Sequence, residues 1–182
     1  AIELGLVGSE RCIRDSRKEE ANVLNNLGCA YLSLGKKERA INFFQQSLPI
    51  HQELKDRKEE ANVLNNLGNA YYNLGQYEKA INFFQQSLPI YQELKDRKGE
   101  AYVLNNLGNA YDNLGQYERA INFYQQSLAI YQELKHRKGE ARVLCRLGVC
   151  YCCLGQHKRK IDVFQQSLSL IHISEPTRPS SI

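Results

Sequence analysis

The chain has 182 residues, with 24 Lys plus Arg against 20 Asp plus Glu and a formal net charge of +4. Apolar residues make up 42% and charged residues 24%, an ordinary balance for one folded domain or one array of small units. A charge of +4 is too small to demand a nucleic-acid or membrane partner, and no run of about 18 apolar residues is present to span a bilayer.

The first 15 residues carry Glu3, Glu10, Arg11, Arg14 and Asp15 and lack the apolar core of a secretion signal. Residues 1–20 fit the pattern that follows poorly. They are expected to be a divergent N-terminal segment, either the last helix of a preceding unit or a cap. There is no Met, and Ala1 opens the chain, so an excerpt from something longer is expected.

From Ala21 onward the sequence repeats itself. Residues 21–60 match residues 61–100 at 32 of 40 positions, and residues 101–140 match 61–100 at 34 of 40, without a gap. A fourth unit, 141–167, matches the third at 14 of 27 positions. The period is 40, repeated almost four times, giving units at 21–60, 61–100, 101–140 and a truncated, divergent 141–167.

Each period predicts two helices. In 61–74 the apolar residues Val63, Leu64, Leu67, Ala70, Tyr71 and Leu74 fall within an arc of roughly 120° at about 100° per residue. Gly75 follows as a helix C-cap. The second helix carries Ala80, Ile81, Phe84, Leu88, Tyr91 and Leu94. The stretch Lys95-Asp96-Arg97-Lys98-Gly99 is expected to be the turn into the next unit. Pro49 and Pro89 lie within second helices and are expected to kink them, or to end and restart them, while Ala129 leaves the third straighter. One such hairpin cannot bury its apolar arc alone, but stacked neighbours can, so the expected fold is all-α, an α-solenoid.

The pattern Leu64-x-x-Leu67-Gly68-x-x-Tyr71 … Ala80-x-x-x-Phe84 resembles the tetratricopeptide repeat. It recurs as Leu24, Leu27, Gly28, Tyr31, Ala40, Phe44 and as Leu104, Leu107, Gly108, Tyr111, Ala120, Tyr124, and covers about residues 21–167. The resemblance implies a right-handed superhelix of helix-turn-helix units. It also implies that Gly68 and Ala80 are the small residues at a close helix contact. Ser87 stands where the family often has Ala. The 40-residue spacing is similar to the long form in LGN/Pins-type adaptors, kinesin light chains and bacterial multi-repeat scaffolds.

Opposite the apolar arc of the first helix runs a polar stripe. Asn62, Asn66, Asn69 and Asn73 share about 60° of the helix surface, flanked by Asn65 and Tyr72. The third unit supplies Tyr102, Asn106, Asn109 and Asn113, flanked by Asn105 and Asp112. The first supplies Asn22, Asn26, Cys29 and Ser33, flanked by Asn25 and Leu32. In the family this face lines the concave groove. Asn costs helix stability, so four on one face are not there for helicity. Their amides both donate and accept, which suits the backbone of an extended peptide, and Tyr72 and Tyr102 suit its side chains. Repeat duplication alone would also reproduce the Asn, and a spacer or self-assembly array with an empty groove is the alternative.

Lys55-Asp56-Arg57-Lys58, Lys95-Asp96-Arg97-Lys98 and Lys135-His136-Arg137-Lys138 predict a basic row along one edge. Cations there complement helix C-termini, so nucleic acid or an acidic partner is the weaker expectation. Cys145, Cys150, Cys152 and Cys153 lie in the fourth unit. Their spacing is no zinc signature, with Cys150 in a core position, so no metal or other cofactor is expected. Scattered Cys suit a reducing cytoplasm. Of His51, His136, His157 and His172, the first three take positions held in other units by different residues, and no catalytic set or phosphate loop is present. The expected function is therefore a non-catalytic scaffold that holds a protein or peptide segment.

After Leu168 the register is lost. The string LSLIHISEPTR from Leu168 to Arg178 resembles a translated transposon-end sequencing adapter. Residues 168–182 are expected to be a non-native tail. In the fourth unit, Lys160 stands where Ala40, Ala80 and Ala120 stand, and Arg142 and Arg146 replace stripe residues.

Overall fold

A computed structural model describes residues 2–174, with side chains from 11 to 171. Among the described residues there are eight helices and no strands: α1 Ile2–Ser33, α2 Lys37–Glu53, α3 Arg57–Asn73, α4 Tyr77–Glu93, α5 Arg97–Asn113, α6 Tyr117–Glu133, α7 Arg137–Cys153 and α8 His157–Ser174. The fold is an all-α helical repeat solenoid. It divides between Leu94 and Lys95 into two compact units of four helices each. In the first unit α1 packs on α2, α2 on α3 and α3 on α4; in the second the order is the same from α5 to α8. The expected adapter-like tail begins within α8, and its part from Glu175 onward lies outside the described residues.

Glycines end the first helices of the pairs. Gly75 takes φ +76°, and its N–H bonds the carbonyl of Tyr72 while that of Gln76 bonds Tyr71, the paired closure that satisfies a helix C-terminus. The second helices close with the same pair of bonds, Lys55 to Gln52 and Asp56 to His51, but a Lys occupies the left-handed position: Lys55, Lys95 and Lys135 have φ of 55°, 55° and 52°. The turn is shorter than the sequence suggests. Arg97, Lys98 and Gly99 form the first turn of α5, because Asp96 caps it and accepts the Gly99 N–H at 2.9 Å. His136 Nδ1 does the same for Gly139 at 3.0 Å.

Pro49 and Pro89 neither break nor end their helices. Both α2 and α4 run through for 17 residues, the length of α6, which has Ala129. Both prolines are exposed, so the carbonyl each leaves without a partner is near water rather than in the core.

Aromatic rings fill the contact between paired helices. Phe44, Phe84 and Tyr124 are 0% exposed. A Cβ built on Gly28, Gly68 or Gly108 would lie 2.4, 2.4 and 2.5 Å from the edge of the facing ring. Only glycine lets the two backbones come this close. In the first unit Ala40, Ile41 and Phe44 of α2 form one cluster with Val63, Leu67 and Ala70 of α3. Three buried serines tie helices as well: Ser47 Oγ donates to Ala21 O at 2.8 Å, Ser127 Oγ to Ala101 O at 2.8 Å and Ser167 Oγ to Ala141 O at 3.1 Å, while Ser87 Oγ donates within α4 to Phe84 O at 3.0 Å. A hydroxyl in the place of an Ala methyl thus finds a partner, as burial requires.

Gly68→Ala tests this packing. It is expected to lower the unfolding free energy by about 1–3 kcal/mol through overpacking against Phe84, despite the ~1 kcal/mol that Ala gains over Gly in a helix. Urea unfolding measures it, and an unchanged or higher midpoint would sink the argument.

Candidate functional site

The polar stripe of the first helices is divided in the structure. Asn26, Asn73, Tyr102 and Asn113 are exposed. Asn22, Asn25, Asn62, Asn66, Asn69, Tyr72, Asn109 and Asp112 are half-buried. Asn65, Asn105 and Asn106 are buried, at 7%, 4% and 8% exposure. The sequence grouped these three with a solvent-facing surface; the structure puts them inside, because a 60° stripe on a stacked helix abuts its neighbour at one edge.

Several of the amides hold the protein itself. Asn66 Nδ2 donates across from α3 to α1, to Asn25 Oδ1 at 3.1 Å and to Cys29 Sγ at 3.5 Å. Asn62 Oδ1 accepts from Tyr91 Oη at 2.8 Å, and its Nδ2 donates to Glu59 at 3.2 Å. Asn109 Oδ1 accepts from Tyr124 Oη at 2.8 Å, which satisfies the one hydroxyl that Phe44 and Phe84 do not carry. Asn113 Nδ2 donates to the carbonyl of Asn109 at 2.8 Å. Asp112 Oδ1 lies 3.7 Å from Cys150 Sγ. Tyr72 sits edge-on to Tyr77, with ring centroids 5.4 Å apart.

Asn105 Oδ1 is buried with no partner. The register explains it. Asn25 meets an Asn 41 residues on, but position 146 is Arg, and the exposed Arg146 leaves the acceptor unfilled.

Sequence reasoning missed the residue beneath the stripe. Tyr91, in α4, supports Asn62 from below. Its equivalent in α2 is His51, which is 0% exposed and has neither ring nitrogen bonded. The 29-residue spacing of Asn62 and Tyr91, matched by Asn22 and His51, is the signal that could have found it.

The fourth repeat differs on this face. Arg142, Arg146, Val149 and Cys153 are exposed. Cys150 is fully buried, as its core register predicts, and burial followed by the nearby Asp112 carboxylate pushes its thiol up to about 12. All six Cys are free thiols. Among the described residues no group of three or more His, Cys, Asp or Glu could hold a metal ion. No described helix is long and apolar enough to cross a membrane.

The arginines that open α3 and α5 are paired within the array, and the lysines of the basic row are not among the ion pairs of the described residues. Arg57 pairs with Glu60 at 2.6 Å and Glu93 at 3.0 Å, Arg97 with Glu100 and with Glu133 at 2.7 Å, and Arg17 with Glu53 at 2.9 Å. The fourth repeat has Ile173 where Glu53, Glu93 and Glu133 stand.

Two family models, both described as tetratricopeptide repeat, match residues 59–133 and 21–54. No curated protein matches the chain significantly. Among solved structures, BtubC (BKLC) from P. vanneervenii is similar, with 23% identity, a TM-score of 0.80, and coverage of 89% of this chain and 69% of that one. A putative kinesin light chain from Podosopora anserina with nearly identical TPR-like repeats has 18% identity, a TM-score of 0.74 and coverage of 90% and 81%. A Rap protein complexed with Competence and Sporulation Factor has 17% identity and a TM-score of 0.77, over 85% of this chain; the chain spans 43% of that protein's length. These likenesses concern the fold.

The buried His51 predicts a pH dependence. Burial pushes its imidazole below the ordinary 6.5; Asp56 and Glu59 oppose this more weakly, and Lys18 adds to it. The folded state therefore prefers the neutral ring. Stability is full above the unfolded pKa and is lost as pH falls below it. Asp56, held low mainly by its hydrogen bond with Lys18, contributes only in a more acidic window, below about 3.8. Thermal melting is expected to fall between about pH 7 and pH 5. His51→Tyr, which restores the Tyr91-type partner for Asn22, should raise the midpoint and remove that slope. A wild-type midpoint that stays flat over this range would refute the assignment.

Proposed function

The chain belongs to the tetratricopeptide repeat family, and from that premise we propose that it is a non-catalytic scaffold whose first-helix face holds an extended segment of a partner protein. The observation that carries this reading is the set of exposed groups on that face: Asn26 and Asn73 in the first unit, and Tyr102 and Asn113 in the second, where Asn113 already donates to the Asn109 carbonyl. Exposed amides presented one from each first helix can pair with a peptide backbone, which gives affinity with loose sequence demand. Tyr102, 40% exposed, offers a ring to a ligand side chain. The half-buried Asn22, Asn62, Asn69, Asn109, Tyr72 and Asp112 complete the surface, while Asn25, Asn65, Asn66, Asn105 and Asn106 act as positioning residues.

A purely structural array remains the second reading, and the Asn66–Asn25 bond favours it, since it uses stripe amides to join α3 to α1. A cytoplasmic location fits the six free thiols.

The test pans a peptide-display library against the chain and against Asn26→Ala/Asn73→Ala. Peptides enriched on the native face should bind the variant more weakly by about 0.5–1.5 kcal/mol per hydrogen bond lost, with an unchanged melting temperature. Asn66→Ala, by contrast, should lower the melting temperature. Equal enrichment on both faces would favour the structural array.

A further inference from the structure

α3, α5 and α7 each begin directly after a turn residue, Asp56, Asp96 or His136. The same register near the start of the chain falls on Ser16, but there α1 passes straight through as one helix of 32 residues. α1 therefore overhangs the turn between α2 and α3. Among the described residues three contacts tie this stretch of α1 to the end of α2 and the turn: Arg14 donates to the Leu54 carbonyl at 3.3 Å, Arg17 pairs with Glu53 at 2.9 Å and Lys18 Nζ with Asp56 at 2.8 Å.

Between the overhang and the turn lies a cleft of about 570 Å³. Arg14 and Lys18 line it from α1, and Lys55, Arg57 and Lys58 from the turn and the start of α3. Among the described residues the acids in its wall are Asp15 and Asp56, so five cations face two carboxylates. Internal pairs account for part of this excess. Lys18 is held by Asp56, and Arg57 by Glu60 and Glu93. Among the described residues Arg14 bonds a carbonyl and no carboxylate, and Lys55 and Lys58 are exposed. Lys55 is presented from a fixed backbone, since its left-handed turn is closed by two hydrogen bonds. Binding an anion then orders its side chain but not its backbone. Leu54 and Leu94 add apolar wall.

We propose that this cleft is a second binding site, for a short acidic peptide segment that carries an apolar side chain. Its carboxylates meet Arg14, Lys55 and Lys58, and its apolar group packs on Leu54 and Leu94. The apolar wall favours a peptide over a bare anion. Nucleic acid is disfavoured because no aromatic ring lines the cleft to stack a base. The site uses none of the stripe residues, so it stands apart from the groove reading.

Fluorescence anisotropy on the whole chain tests this, with a labelled peptide of Glu and Asp around one Leu. Lys55→Gln/Lys58→Gln should weaken binding about tenfold. Lys95→Gln/Lys98→Gln, at the corresponding turn with no overhang, should change it by less than about twofold. The same peptide with Gln and Asn in place of its acids should not bind. Three outcomes would each overturn the proposal: equal losses in the two double variants, equal binding of the neutral peptide, or tighter binding of a single-stranded oligonucleotide of the same charge.

Discussion

The structure depends on one steric condition, a ring laid on a glycine. Gly28, Gly68 and Gly108 each face a fully buried aromatic residue at a separation that excludes a β-carbon. That contact sets the distance between paired helices. The distance in turn brings Ser47 and Ser127 within reach of a carbonyl on the partner helix. It also leaves Ala40, Ala80 and Ala120 fully buried at the seam. The fourth repeat keeps Gly148 and Phe164, but Phe164 is 37% exposed there.

Much of this was legible because the period is written in the residues themselves. The Leu-Gly-Tyr and Ala-Phe spacing located the close contact, and Gly75 located a helix end. The stripe was legible only as a direction on an isolated helix. Whether Asn65 faces water or a neighbour depends on how the helices stack, which a helical projection does not contain. Tyr91 went unseen for the same reason, because its partner Asn62 lies on another helix. Pro89 does not end its helix, because the cost of a missing N–H depends on whether the stranded carbonyl has water nearby. The passage of α1 through Ser16 was hidden too, since Ser is a good helix start and the contacts of Arg14, Arg17 and Lys18 that hold α1 there reach residues 36 to 40 positions on.

Function, on these grounds, concentrates where the array departs from its own period. Identical repeats bury, pair and neutralise in the same way each time, as the Arg57–Glu93 and Arg97–Glu133 pairs show. The uncommitted chemistry lies at the exceptions: the overhang of α1, the imidazole at a Tyr position, and the arginines on the face of α7.

The replacement of Ala by Lys160 has a consequence for how the molecule comes apart. A solenoid behaves as a row of coupled elements, each stabilised by its own fold and by its neighbour. Lys160 places a charge at the seam position, and α8 leaves Ile161, Leu168 and Ile171 at 52%, 55% and 44% exposure. The seam of α8 is thus looser than that of α6, which Ala120 and Tyr124 seal, so amide protons of α8 exchange earlier than those of α6.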